Sequence, residues 1–132
     1  MITSEWDVVL RPHDDEAVGY LVPDGSLAVP VTLAGQPLGP AQEPDAATAL
    51  LVARGLSVLD GRWWCRLPDL LPRGILAAGH PLPAWGWRAV VLVEVSPSAC
   101  RVRPEWPAPA ELTGQAELPV PVGQLLLAEP PE

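Results

Sequence analysis

Apolar and polar residues alternate along this chain in short runs, the period of half-buried strands rather than of long helices. Trp6, Val8 and Leu10 alternate with Asp7, Val9 and Arg11, which predicts a first strand with Trp6, Val8 and Leu10 turned inward. Pro12 to Glu16 reads as a polar turn. Ala17–Val22 and Leu27–Leu33 flank Pro23-Asp24-Gly25-Ser26, a strong turn signal. Pairing Val22 with Leu27 sets Tyr20 opposite Val29 and Val18 opposite Val31, with all six on one face. Pro30 falls on the other alternation and implies an edge strand, because proline cannot donate to a ladder.

Three prolines make residues 34–44 a loop. Asp45 is a helix N-cap, Ala46–Arg54 is rich in Ala and Leu, and Gly55 is the stop. Leu56–Leu59 and Arg62–Leu67 then read as a hairpin around Asp60-Gly61, a favoured two-residue turn. Asp69 to Ala78 predicts a short helix ended by Gly79, followed by a rigid loop from His80 to Gly86. Trp87–Val95 is the most β-prone run. It turns through Ser96–Ala99 into Cys100–Arg103, which sets Val95 against Cys100 and Glu94 against Arg101. From Pro104 onward there are seven prolines, with one helical turn expected near Ala110–Thr113 and one strand near Leu118–Leu127.

This order predicts an α+β fold: a mainly antiparallel sheet built from hairpins, one main helix (about 45–54) and a Pro-rich C-terminal tail, in a single domain spanning residues 1–132. The helix followed by Gly55-Leu56-Ser57-Val58-Leu59-Asp60-Gly61-Arg62-Trp63-Trp64 resembles the last helix and wing of a winged-helix domain. The earlier helices of that fold have no counterpart, since residues 17–44 read as strands and loop, and no function is carried over from it.

Composition narrows the setting. The 18 prolines disfavour long helices. Lys, Phe and Asn are absent and Ile occurs only at Ile2 and Ile75, the bias of a GC-rich bacterial genome. A net charge of −8 sets the chain against nucleic acid and anionic membranes. The first residues lack the basic and apolar regions of a signal peptide, and no apolar run approaches a membrane span of roughly 20 residues. A cytoplasmic location with reduced thiols is expected. Cys65 and Cys100 form no metal-spaced pair and fall on inward alternations, where cysteine acts as a small apolar residue.

Two clusters carry candidate chemistry. His13-Asp14-Asp15-Glu16 could hold a divalent cation or act in acid–base catalysis, with His80 as a partner. Its contiguous spacing matches no calcium loop or zinc signature, however, and no cofactor is implied. The arginines point elsewhere. Seven of the eight lie between Arg54 and Arg103, where three acids oppose them, so that stretch is +4 and the remainder −12. The same stretch holds Trp63, Trp64, Trp85 and Trp87.

Strand period puts Arg62, Trp64 and Arg66 on the face opposite Trp63, Cys65 and Leu67. Arg101 and Arg103 share the outward face of their own strand. If the two hairpins adjoin, these five form one Arg/Trp surface, flanked by the loop that carries His80 and Trp85. Against this stand intramolecular pairing, with Glu94 opposite Arg101, and cover of Trp64 by the Pro-rich tail. The expectation is a non-enzymatic binding or accessory protein with a protein or peptide partner. Single-stranded nucleic acid and a small metal-dependent or hydrolytic enzyme are the alternatives. An edge near Pro30 leaves room for a homodimer.

Overall fold

A computed structural model describes residues 5–131. Two sheets and one helix make up the α+β architecture. The first sheet joins β1 (Asp7–Leu10), β2 (Ala17–Asp24) and β3 (Leu27–Val31) as an antiparallel meander in the order β1-β2-β3. The turn between β2 and β3 is tighter than the sequence suggests. Asp24 opposes Leu27, so Tyr20 faces Val31 and Val22 faces Val29. The register differs from the expected one by two residues, so Tyr20, Val22, Leu27, Val29 and Val31 still share a face; the irregularity at 17–19 takes Val18 off that face to pack with Val9 and Leu51. β3 is an edge, as Pro30 requires, but the following loop covers it: Ala28 bridges Gln42 and Val31 bridges Pro37.

β1 is turned over relative to expectation. Val9 is buried, while Val8 (53% exposed) and Leu10 (48%) face outward; Trp6 is half-buried with its ring 6.1 Å from that of Tyr20. The pair Val8-Val9 carries no alternation to read, and Val9 is drawn in by Val18 and Leu51.

The helix α1 (Pro44–Arg54) packs on this sheet. Pro44 occupies its first turn, where a missing N–H goes unused, and the N-cap is Glu43 rather than Asp45. Leu51 is fully buried against the sheet at Gly19. Gly19 has φ +154°, and a Cβ there would lie 2.4 Å from the Val31 carbonyl oxygen and 2.7 Å from a Leu51 methyl. The helix can approach this closely because position 19 has no side chain.

The second sheet has six strands in the order β5-β8-β7-β6-β4-β9. These are β4 (Trp63–Leu67), β5 (Gly74–Ala77), β6 (Gly86–Val95), β7 (Ala99–Pro104), β8 (Gly114–Pro119) and β9 (Leu126–Leu127). The β6–β7 hairpin has the expected register, with Glu94 opposite Arg101 and Val95 opposite Cys100.

Three other expectations are corrected. Ser57–Asp60 is a turn of 3-10 helix, so there is no 56–67 hairpin and no wing; β4 pairs instead with β6 and β9. The stretch expected as a helix over 69–78 contains β5, which lies parallel to β8. The Pro-rich C-terminal segment is no appendage: β8 is an interior strand between β5 and β7, and β9 closes the far edge beside β4.

The inner face of this sheet carries Trp63, Cys65, Leu67, Val90, Cys100, Val102, Ala116 and Leu118 in one core with Leu59, Leu71, Val120, Val122 and Leu126. A bulge between Leu92 and Glu94 bends β6, in keeping with strands at both ends of the sheet sharing that core. Both thiols are held neutral by burial, which pushes each up to about 12; Cys65 adds to the shift of Cys100. The sheets are tied together where Val122 N–H donates to the Ala34 carbonyl (3.0 Å) and the Gln36 amide donates to the carbonyls of Gly123 (2.7 Å) and Leu126.

A buried ion pair closes the sheet beside β6. Arg88 donates to Glu111 through two nitrogens, at 2.6 and 2.9 Å. The Glu111 carboxylate also accepts from the backbone N–H groups of Leu71 (2.7 Å) and Ala108 (2.9 Å). Arg88 and these N–H groups hold Glu111 down at about 2, against the opposing effect of burial.

Candidate functional site

The outer face of the six-stranded sheet is where the structure gathers the predicted residues. Antiparallel register sets Arg66 beside Trp87 and Trp64 beside Ala89. Extending that register one residue beyond the start of β4 sets Arg62 level with Val91, which pairs with Arg103 on β7. Arg62, Trp64, Arg66, Arg101 and Arg103 therefore share one face, as the alternation requires, with β6 lying between the two groups.

Half of the basic character of that face is neutralised: among the described residues Arg62 and Arg101 have carboxylate partners, Arg66 and Arg103 do not. Arg62 donates to both carboxylate oxygens of Glu105, at 2.5 and 3.1 Å, and its guanidinium lies 4.7 Å from the centre of the Trp106 ring. Such a pair combines an ion pair with a cation–π contact. Arg101 sits 3.7 Å from each of Glu94 and Glu117. Arg66 donates to the carbonyls of Trp85 (3.1 Å), Leu82 (2.9 Å) and Pro83 (3.5 Å), so it pins the 82–85 loop while keeping its charge. Arg103 is exposed and makes no ion pair among the described residues.

What remains open on this face is aromatic. Trp64, Trp87 and Trp106, with Ala89, Pro104 and Arg88, line a groove of about 260 Å³. Trp106 is 69% exposed and Trp87 36%. A second recess of about 300 Å³ adjoins it, lined by Arg66, Pro81, Trp87, Gln124 and Leu125. Trp87 belongs to both walls. The cover of Trp64 weighed from the sequence is partial. Leu127 of β9 lies beside it, and the segment after β7 brings Trp106 to the groove as a further wall.

Trp87 and Trp106 were not among the residues the sequence singled out. Trp87 falls on the outward alternation Trp87, Ala89, Val91, which was readable once β6 was aligned with β4. Trp106 had no signal, because only the path of the chain after β7 brings it back over Arg62. Trp85 has another place: it is half-buried against the main core and meets the face through its carbonyl.

The residues of the metal or enzyme alternative are placed apart. The 11–16 turn is closed by Arg11, whose guanidinium donates to Asp14 at 2.6 and 3.0 Å, and by backbone bonds from Arg11 to Glu16 and from Asp15 to Arg11. Arg11 holds the Asp14 carboxyl at about 2. His13, Asp15 and Glu16 are exposed. His80 lines a different recess, of about 450 Å³, with Ser98, Glu117 and Ile75, and none of residues 13–16 reaches it. Among the described residues no group of three His, Cys, Asp or Glu side chains could hold a metal ion, and no helix is long and apolar enough to cross a membrane.

No protein-family model, no curated protein and no solved structure matches this chain.

Proposed function

We propose that this protein is a non-catalytic binding protein that engages a protein or peptide partner through the tryptophan-lined outer face of its six-stranded sheet. The observation that carries this reading is the convergence of Trp64, Trp87 and Trp106, from three separate segments, on one open groove. Strand alternation ordinarily gives the outward face of a half-buried sheet to polar side chains. Here indole surface is left in water, and Trp is the residue most enriched among the energetic centres of protein interfaces. The surrounding arginines are held in place by Glu105 and by loop carbonyls, so the groove is presented on a rigid frame. The large net negative charge of the rest of the chain disfavours polyanions and leaves a protein or peptide as the fitting partner class.

A photo-crosslinking residue at position 103, on this face, is expected to join the protein to a defined partner in cells. The same residue at position 45, on α1, is expected not to. Trp106→Ala abolishes the crosslink from 103 without lowering the melting temperature, since that ring is mostly in solvent. Equal crosslinking from both positions, or a crosslink indifferent to Trp106→Ala, overturns the reading. Loss of the fold in Trp106→Ala makes the ring structural and overturns it as well.

A further inference from the structure

We infer that the ligand of the tryptophan groove is a proline-rich segment in the polyproline II conformation, carrying a carboxylate that reaches Arg66; this rests on the binding role proposed above. The argument is one of complementarity in charge and shape. Within the groove no charge is uncompensated: Arg62 is held by Glu105 and stacked on Trp106, and Arg88 is held by Glu111. The ligand body that fits is therefore uncharged.

A phosphate backbone would find Arg62 already paired with Glu105 and, among the described residues, only Arg66 and Arg103 unpaired on this face, on a chain of net charge −8. A quaternary ammonium ion would compete with Arg62 for the Trp106 ring and meet the positive charge of Arg66. A polyproline II segment satisfies the site. Its rings are apolar and rigid, and its backbone carbonyls are all free to accept from surface indole N–H groups. Because its conformation is preformed, little freedom is lost on docking to an aromatic-lined groove.

Arg66 gives the segment a direction. The groove shares Trp87 with the recess lined by Arg66, Pro81, Gln124 and Leu125. The partners of Arg66 are neutral carbonyls of the 82–85 loop, so its charge is uncompensated. A ligand running from Trp106 across Trp87 ends beside a fixed cation, and an acidic residue at that end completes it.

Binding is read by tryptophan quenching and calorimetry on the full chain. The probes are a decaproline-based peptide with a glutamate pair at one end, its lysine-ended counterpart, a version with glycine for proline, an oligo-dT strand and a soluble oligosaccharide. The glutamate peptide is expected to bind. Glycine for proline weakens it about tenfold or more, and Trp106→Ala does the same. The lysine-ended peptide binds about threefold to tenfold more weakly, and Arg66→Gln closes that gap. Binding no tighter than the glycine version, indifference to Trp106→Ala, or occupation of the groove by the oligonucleotide or oligosaccharide instead overturns the inference. An equal affinity for both charged ends removes the role of Arg66. If the peptides fail while the crosslink from position 103 persists, the ligand class is wrong and the binding role stands; if both fail, both fall.

Discussion

Glu111→Ala destabilises the fold by about 3–5 kcal/mol, the usual cost of removing one partner from a buried ion pair. Glu111 is only 2% exposed, and its two oxygens take four donors: two nitrogens of Arg88 and the N–H groups of Leu71 and Ala108. Truncation strands a partly buried guanidinium and two backbone donors together. Urea unfolding checks the size of the loss, read as a fall in midpoint at constant slope. Replacing both partners, Arg88→Met with Glu111→Leu, is expected to recover much of it, because the loss comes from the unpaired charge more than from the pair's own worth.

Acid makes the same point without mutation. The folded carboxyl sits at about 2, below its ordinary 4.5. The unfolded chain therefore takes up the proton first as pH falls. The contribution of this group is whole above about 4.5 and is lost as pH drops towards 2, and Glu111→Gln flattens that part of the stability profile. An unchanged acid limb in the glutamine variant would show that other carboxylates govern it.

Gly19→Ala costs about 2–5 kcal/mol, the sum of two separate penalties. Position 19 has φ +154°, a conformation essentially reserved for glycine. An added methyl also falls 2.4 Å from the Val31 carbonyl oxygen and 2.7 Å from Leu51, so β3 or α1 must move. Gly25 is the control. Its φ is +62° but nothing lies within 4 Å of an added Cβ, so alanine there carries the backbone term alone, about 1–2 kcal/mol. Equal losses at the two positions would show that α1 does not pack as closely on β2 as described.

The parts of this fold that were legible in the sequence are those fixed by neighbours in the chain. The Val-rich run 90–95 and its short loop set the β6–β7 register, down to Glu94 opposite Arg101. The Ala/Leu-rich run 46–54 with Gly55 as its stop marks one helix, correct at its C-terminal end and two residues late at its start, where Pro44 reads as loop. Long-range pairing was illegible. Asp60-Gly61 carries a hairpin signal, yet β4 finds its partners in β6, from Leu67 opposite Gly86 to Trp63 opposite Val90, and in β9. Residues 74–77 become a strand because β8 lies beside them. The candidate site divides in the same way. Arg62, Trp64 and Arg66 followed from alternation on one strand. Trp87 and Trp106 needed the strand order, and Trp106 needed the fold-back that stacks it on Arg62.

The two buried cysteines make the fold a gauge of its own opening. With burial pushing each thiol up to about 12, the thiols stay protonated at neutral pH and are shielded from reagents. Alkylation must wait for the surrounding strands to part, so its rate relative to an unfolded chain measures the free energy of that parting. Cys65 reports from β4 and Cys100 from β7, with β6 between them. Matched labelling rates mean the six-stranded sheet opens as one cooperative unit; a faster Cys65 means that the strand carrying Trp64 and Arg66 peels away first.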